Sequence, residues 1–362
     1  MTHYWDYAHS ILQVSGSLFH YFDIDQGHGT DQDVDTWLKK KPSCVVALLI
    51  DAMGTSVLEK HLSEDSFLRK QMKKSVSTVF PPTTTAATTS FLSGKSPLEN
   101  GWIGWNQYFK EADDQVILFL NTSQYRDVSY SQGWSETKLP VAKIYDVLNE
   151  KGIPADSIWP GWSKHNPSDT FDDLLDHILQ LSGNNRFLYA YWDAFDDLLH
   201  ECGTDAPDIQ KQLQEYNDKL ESFVQKLPED VFLLVIADHS QINIQHYDLA
   251  ADEILCSYLQ KAPSLEPRTT AFYIKDGRIQ EFKTAFENKF KDRFLLLTKE
   301  EMLSSGILGE GIPQKRIEEF LGDLVAIAKT PLQLDYKKGY QIKGNHAGLV
   351  KEERYVPLIL YP

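Results

Sequence analysis

Three short runs of unbroken apolar residues constrain this chain more than any other feature: VVALLI at Val45–Ile50, FLYAYW at Phe187–Trp192 and VFLLVIA at Val231–Ala237. Runs this short, without polar alternation, fit strands buried on both faces, as in parallel sheets covered by helices. Each run stops at an acid, namely Asp51, Asp193 and Asp238. Open α/β sheets place their ligand sites at the carboxyl ends of such strands. Asp51 either caps the helix beginning near Thr55 or faces a ligand, and by itself the residue favours neither. Asp238 is followed by His239, and an acid beside an imidazole at a buried strand end points to metal binding or catalysis, because charged groups there need a partner.

The stretch Ser77–Pro97, STVFPPTTTAATTSFLSGKSP, carries no charged side chain between Phe80 and Lys95. Val76–Phe80 has the β-branched character of a strand, and Pro81-Pro82 ends it. A helix follows with Thr83 as its expected N-cap. Thr84 then offers a hydroxyl from a first turn whose dipole and free N–H groups attract anions. The competing reading is a small-residue helix packed in the core through Ala86, Ala87, Thr88 and Ser90.

After Phe187–Trp192 comes DAFDDLLHECG. A helix from Asp193 puts Asp196 and His200 one turn apart on one face, able to share a metal ion, with Asp193 and Asp197 as competitors. Near the C-terminus, GNHAG presents His346 between Gly344 and Gly348 in an irregular loop. The expected organisation is an N-terminal helical lead-in over 1–43, with helices around Tyr7–Tyr21 and Asp31–Lys40, and a core over 44–265. A small α+β cap follows over 266–335, in which Thr269–Lys275, Ile279–Lys289 and Phe294–Thr298 read as a βαβ unit. The chain returns to the core over 336–362. Trp102–Phe109 and Val116–Leu120 are expected strands beside the site.

A net charge of −16 and no basic stripe exclude a general nucleic-acid binder. Positive charge for a phosphate must be local, and bound metal could supply it. Cys44, Cys202 and Cys256 form no C-x-x-C pair, so free thiols are expected. The first residues carry no basic, apolar leader, and no run approaches the roughly 20 apolar residues of a membrane span. A cytoplasmic protein without membrane or stable nucleic-acid partner is the expectation; the sequence leaves oligomeric state open.

Taken in order, LLIDAMG, FPPTTTAATTSFLSGKSP, DLLHECG, IADHS and GNHAG resemble the alkaline phosphatase superfamily, and within it the nucleotide pyrophosphatase/phosphodiesterase family, across most of residues 44–361. The resemblance implies an alkaline-phosphatase-like α/β fold with a mostly parallel central sheet flanked by helices. It implies two divalent ions, zinc with manganese as the alternative. Asp51, Asp238 and His239 would hold one ion, with the Thr84 oxygen beside it as nucleophile; Asp196, His200 and His346 would hold the other. In the family ten residues separate the nucleophilic threonine from the glycine ending its helix, and Gly94 thereby selects Thr84 over Thr83 and Thr85. The implied activity is hydrolysis of phosphate diesters or nucleotide pyrophosphates through a phosphothreonine, on small-molecule phosphate ester or nucleotide substrates. A phosphomonoesterase of the same fold, or a non-catalytic phosphate or nucleotide binder, are the alternatives. Asn106, Lys343 and Asn345 are candidates for holding a phosphoryl oxygen. Arginine is absent between Arg69 and Arg126, which favours diesters unless Arg268 or Arg354 reaches the site from afar.

Overall fold

The computed structural model describes residues 5–362 apart from 338 and 340. The three apolar runs lie side by side in a seven-stranded sheet. Its order is Met72–Ser77, Tyr355–Tyr361, Val231–Ile236, Cys44–Ile50, Phe187–Trp192, Ala155–Pro160 and Pro167–Ser168. Cys44–Ile50 is at the centre, parallel to both neighbours, and all seven of its residues are buried. Only Tyr355–Tyr361 runs opposite to the other six strands. Burial on both faces is what the unbroken apolar runs require, at about 1.5–3 kcal/mol for each large side chain removed from water.

Register turns this sheet into a platform. Ile50 lies opposite Trp192, and Leu49 opposite Ile236. The three strands therefore end at one level, and the residues that follow, Asp51, Asp193 and Asp238, emerge on one edge. Asp51 N–H still donates to Trp192 O at 2.9 Å, so the acid is anchored by the sheet's last rung.

The strand expected at Val76–Phe80 is instead Met72–Ser77, displaced toward the N-terminus. Its antiparallel partner sets the end, since the ladder with Tyr355–Tyr361 finishes at Ser77 opposite Tyr355. Residues 78–82 then lead into the helix Thr84–Ser93, which Gly94 closes in the left-handed conformation, φ 65°. Nine of its ten residues are buried. Two of its buried hydroxyls bond back one turn: Thr88 Oγ1 donates to Thr84 O at 2.6 Å and Ser93 Oγ to Thr89 O at 2.7 Å. The N-terminal helix Ile11–Tyr21 packs against it, and Ser15 Oγ donates to Phe91 O at 2.6 Å.

A second seven-stranded sheet is antiparallel throughout, in the order Phe294–Thr298, Leu324–Ala328, Thr269–Phe272, Ser264–Leu265, Asn106–Phe109, Asp114–Ile117 and Thr122–Ser123. The segment expected as a cap, 266–335, supplies part of it, and residues 106–123, read from the sequence as core strands, supply the rest. The join is a single pair, Leu265 opposite Asn106. The expected βαβ unit is split, because Leu324–Ala328 inserts between Thr269–Phe272 and Phe294–Thr298. Local periodicity identifies strands and cannot say which distant strand will pair with them. No helix among the described residues is long and apolar enough to cross a membrane, and all three cysteines are free.

Candidate active site

All seven residues singled out from the sequence converge at the strand ends. Asp51, Asp238 and His239 offer ligand atoms within 4.8 Å of one another, as do Asp196, His200 and His346. Asp196 and His200 share a face of the helix Ala194–Cys202, with Asp196 Oδ2 3.1 Å from His200 Nε2. The two trios adjoin, for the His239 and His346 rings stack with centroids 3.9 Å apart. Asp193 points elsewhere and accepts from the Trp162 indole at 2.5 Å.

The imidazoles are oriented by backbone carbonyls. His200 Nδ1 lies 2.8 Å from Gly344 O, His346 Nδ1 3.0 Å from Pro82 O, and His239 Nδ1 3.3 Å from Ser240 O. A carbonyl that holds Nδ1 turns Nε2 toward the site, the nitrogen left to bind a metal. Pro82, in the segment that leads into the Thr84–Ser93 helix, thus orients His346. The glycines around His346 have a steric reason: a Cβ on Gly344 would stand 2.5 Å from Leu199 O, and one on Gly348 2.6 Å from an Arg268 nitrogen.

The carboxylates lack the partners their burial demands. Asp51 Oδ1 and Asp238 Oδ2 are buried and receive no hydrogen bond, although His239 Nε2 stands 3.3 Å and 3.6 Å from them. Burial, and then the charges of Asp238 and Asp196, push the Asp51 carboxyl well above the usual carboxylate range. Tyr191, a residue the sequence reading passed over inside an apolar run, donates its hydroxyl to Asp51 Oδ2. Burial opposes the His200 cation, yet the adjacent Asp196 carboxylate prevails and lifts His200 to about 9. Burial and the neighbouring His239 hold His346 well below the ordinary imidazole range. Unpaired buried carboxylate oxygens converging with imidazole nitrogens, from which a metal would displace any proton, fit divalent cations of mixed N/O preference.

Thr84 sits against the first trio. Its Oγ1 is 3.3 Å from Asp51 Oδ2 and 3.1 Å from His239 Nε2. Thr83 occupies the N-cap position with extended backbone but does not cap: no side-chain oxygen accepts from the first turn. Its hydroxyl instead donates to Glu266 Oε1 at 2.6 Å. The sequence could not show this, because Glu266 lies 183 residues away. The amides of the first helical turn are left without a side-chain partner, beside Thr84 Oγ1.

Two cavities meet at Thr84. One, of about 370 Å³, is lined by Asn106, Glu266, His200 and His346 among others. The other, of about 700 Å³, is largely aromatic, with Trp102, Trp105, Phe119, Trp159 and Trp162. Asn106 and Asn345 line the smaller cavity, and Lys343 lines neither. Arg268 is fully buried in an ion pair with Glu353 and donates to Thr330 O and Leu332 O at 3.0 and 3.1 Å. Arg354 lies over the Trp5 ring, 4.3 Å from its centroid. Neither arginine lines a cavity at Thr84.

Residues 45–349 match the model of the family described as type I phosphodiesterase / nucleotide pyrophosphatase. No curated protein matches the chain. Among solved structures, murine ectonucleotide pyrophosphatase / phosphodiesterase 5 superposes with a TM-score of 0.66 at 18% identity, covering 88% of each chain. An inactive variant of that murine protein in complex with AMP gives the same score at 17% identity, again over 88% of each chain. Phosphonoacetate hydrolase from Sinorhizobium meliloti, in complex with phosphonoformate, gives 0.65 at 14% identity, covering 88% of this chain and 90% of the other. At these identities the structures speak for a shared fold, and the family match extends over most of the sequence. The chain belongs to the type I phosphodiesterase / nucleotide pyrophosphatase family.

Proposed function

We propose that the chain hydrolyses phosphate diesters or nucleotide pyrophosphates through a covalent phosphothreonine at Thr84. Asp51, Asp238 and His239 would hold one divalent ion and Asp196, His200 and His346 a second, zinc or else manganese. The observation that carries this reading is the Thr84 hydroxyl, 3.1 Å from His239 Nε2 and 3.3 Å from Asp51 Oδ2, at the open N-terminus of a buried helix. Bound ions would supply Lewis-acid charge for the attacking and leaving oxygens.

The chain's own residues account for the remainder. Thr84 Oγ1 forms the bond to phosphorus as the ester bond to the leaving oxygen breaks, and water then cleaves the Thr84–phosphoryl bond and restores the hydroxyl. Free first-turn amides face the charge that develops on the phosphoryl oxygens. The aromatic cleft offers faces for a nucleobase, consistent with the AMP bound by the murine relative's inactive variant. No arginine among the described residues lines either cavity, so the extra charge of a monoester lacks the fork that would bind it. A cytoplasmic location is proposed separately, in keeping with the three free cysteines.

The test is a hydrolysis screen with zinc- or manganese-loaded protein on thymidine monophosphate p-nitrophenyl ester, dinucleotides, sugar nucleotides, p-nitrophenyl phosphate and phosphonoacetate. Diester or pyrophosphate turnover that vanishes on chelation and returns with metal is expected. Preference for p-nitrophenyl phosphate or phosphonoacetate, or full activity of metal-free protein, overturns the proposal.

A further inference from the structure

Glu266 is buried, 6% exposed, and lines the same cavity as Thr84, Asp196 and His200. Two donors hold it: Thr83 Oγ1 at 2.6 Å and Trp105 N–H at 2.7 Å, both on Oε1. No hydrogen bond among the described residues reaches Oε2, and no lysine, arginine or histidine pairs with the carboxylate. Its backbone is equally fixed, with N–H donating to Thr269 O at 2.9 Å and O accepting from Thr270 Oγ1 at 2.8 Å. The preceding Leu265 is held at φ 75°, a conformation a branched side chain seldom adopts. There it crosses Gly104 so closely that a Cβ on the glycine would lie 2.7 Å from Leu265 Cα. Backbone strain held in place by its surroundings, beside a reactive hydroxyl, points to a function for the residue it aims.

Holding Thr83 and the Trp105 amide needs an acceptor, which a neutral glutamine would provide. What glutamate adds is negative charge, paired with no lysine, arginine or histidine among the described residues, facing the chamber that receives the phosphoryl group. We infer that Glu266 determines charge specificity, disfavouring a dianionic phosphomonoester relative to a monoanionic diester at Thr84. A diester brings one negative charge near this carboxylate and a monoester two, so like-charge repulsion weighs more heavily on the monoester. Glu266 thereby acts on binding in the same chamber where its bond to Thr83 steadies the first turn of the nucleophile's helix.

The inference rests on Thr84 being the nucleophile, and the experiment separates the two. The ratio of kcat/KM for thymidine monophosphate p-nitrophenyl ester to that for p-nitrophenyl phosphate is measured at pH 9 in metal-loaded protein. That pH lies above the value of about 7 to which burial raises the Glu266 carboxyl. Wild type favours the diester. In Glu266→Gln, which keeps the acceptor and removes the charge, the ratio falls by about tenfold; in Glu266→Asp, which keeps the charge, it stays closer to wild type than in Glu266→Gln. An unchanged ratio in Glu266→Gln, or equal losses on both substrates, would make Glu266 only a support for Thr83 and overturn the inference. A wild type without diester preference overturns it even if neither variant folds. Thr84→Ala active on both substrates would instead remove the nucleophile reading itself.

Discussion

Replacing Thr84 with alanine separates chemistry from folding more cleanly than any other change at this site. The side chain is 9% exposed and loses one hydroxyl and one methyl. Loss of the buried methyl costs about 1 kcal/mol, while alanine's better helix propensity returns roughly 0.5 kcal/mol. The hydroxyl's two contacts, at 3.1 and 3.3 Å, are long ones, worth about 1 kcal/mol net together. The backbone bond from Thr88 Oγ1 to Thr84 O is untouched. Stability should therefore change by no more than about 1–2 kcal/mol, and both three-residue trios remain whole. Turnover, deprived of its nucleophile, should fall by at least about a thousandfold, or ~4 kcal/mol of transition-state stabilisation. Release of p-nitrophenol from the thymidine ester gives the rate; differential scanning fluorimetry and elemental analysis give fold and metal content. Activity within tenfold of wild type would refute the reasoning. So would inactivation by Thr83→Ala or Thr85→Ala while Thr84→Ala stays active.

Three further outcomes follow from the same geometry. Acid quenching of wild type during diester turnover, followed by peptide mass spectrometry, should find phosphate on the peptide containing Thr84, and its absence under conditions of rapid mixing would count against a covalent step. Gly344→Ala should cost about 1–3 kcal/mol of stability and weaken metal retention, since its Cβ would stand 2.5 Å from both Leu199 O and Gln241 Oε1 and displace the carbonyl that orients His200; an unchanged denaturation midpoint and metal content would contradict this. In metal-free protein, burial raises the Glu266 carboxyl from 4.5 to about 7. A raised folded-state pKa contributes stability below the unfolded value that is lost as pH rises through the folded one. Glu266→Gln should therefore gain about 1–3 kcal/mol on wild type between pH 5 and pH 8, and denaturant titrations giving the same difference at both pH values would refute it.

The sequence showed most clearly what is encoded locally. An apolar run fully buried in a parallel sheet announces itself, and the acid that ends it is adjacent in the chain, so the level edge carrying Asp51 and Asp238 could be read directly. The i, i+4 spacing of Asp196 and His200 survived into the helix Ala194–Cys202. What the sequence hid depends on chain segments that meet only on folding. Tyr191 looked like one more apolar strand residue until its hydroxyl met Asp51. Thr83 looked like a helix cap, an acceptor for a first-turn amide, until folding turned its hydroxyl to donate to Glu266. The pairing of Leu265 with Asn106, which joins residues 106–123 to the second sheet, leaves no trace in either strand's own pattern. Arg268, a candidate anion binder by charge alone, is committed to Glu353 in the interior.

The meeting of two unlike cavities at Thr84 separates the evolution of chemistry from the evolution of taste. On the proposed reading, a diester held with its phosphorus at the boundary would send one arm toward the aromatic cleft and the other toward the smaller chamber beside Glu266. Which arm departs would then be decided by which wall each arm suits, since the arm opposite Thr84 Oγ1 is the one that leaves. The smaller chamber is walled in part by Trp105, Asn106 and Glu266, from in and around the second sheet, and the cleft in part by Trp159 and Trp162, at the far edge of the first. Asp51 and Asp238, by contrast, ride on the central strands. Drift in either wall can re-aim the enzyme at a new molecule, or reverse the polarity of cleavage on an old one, while the strand ends stay fixed.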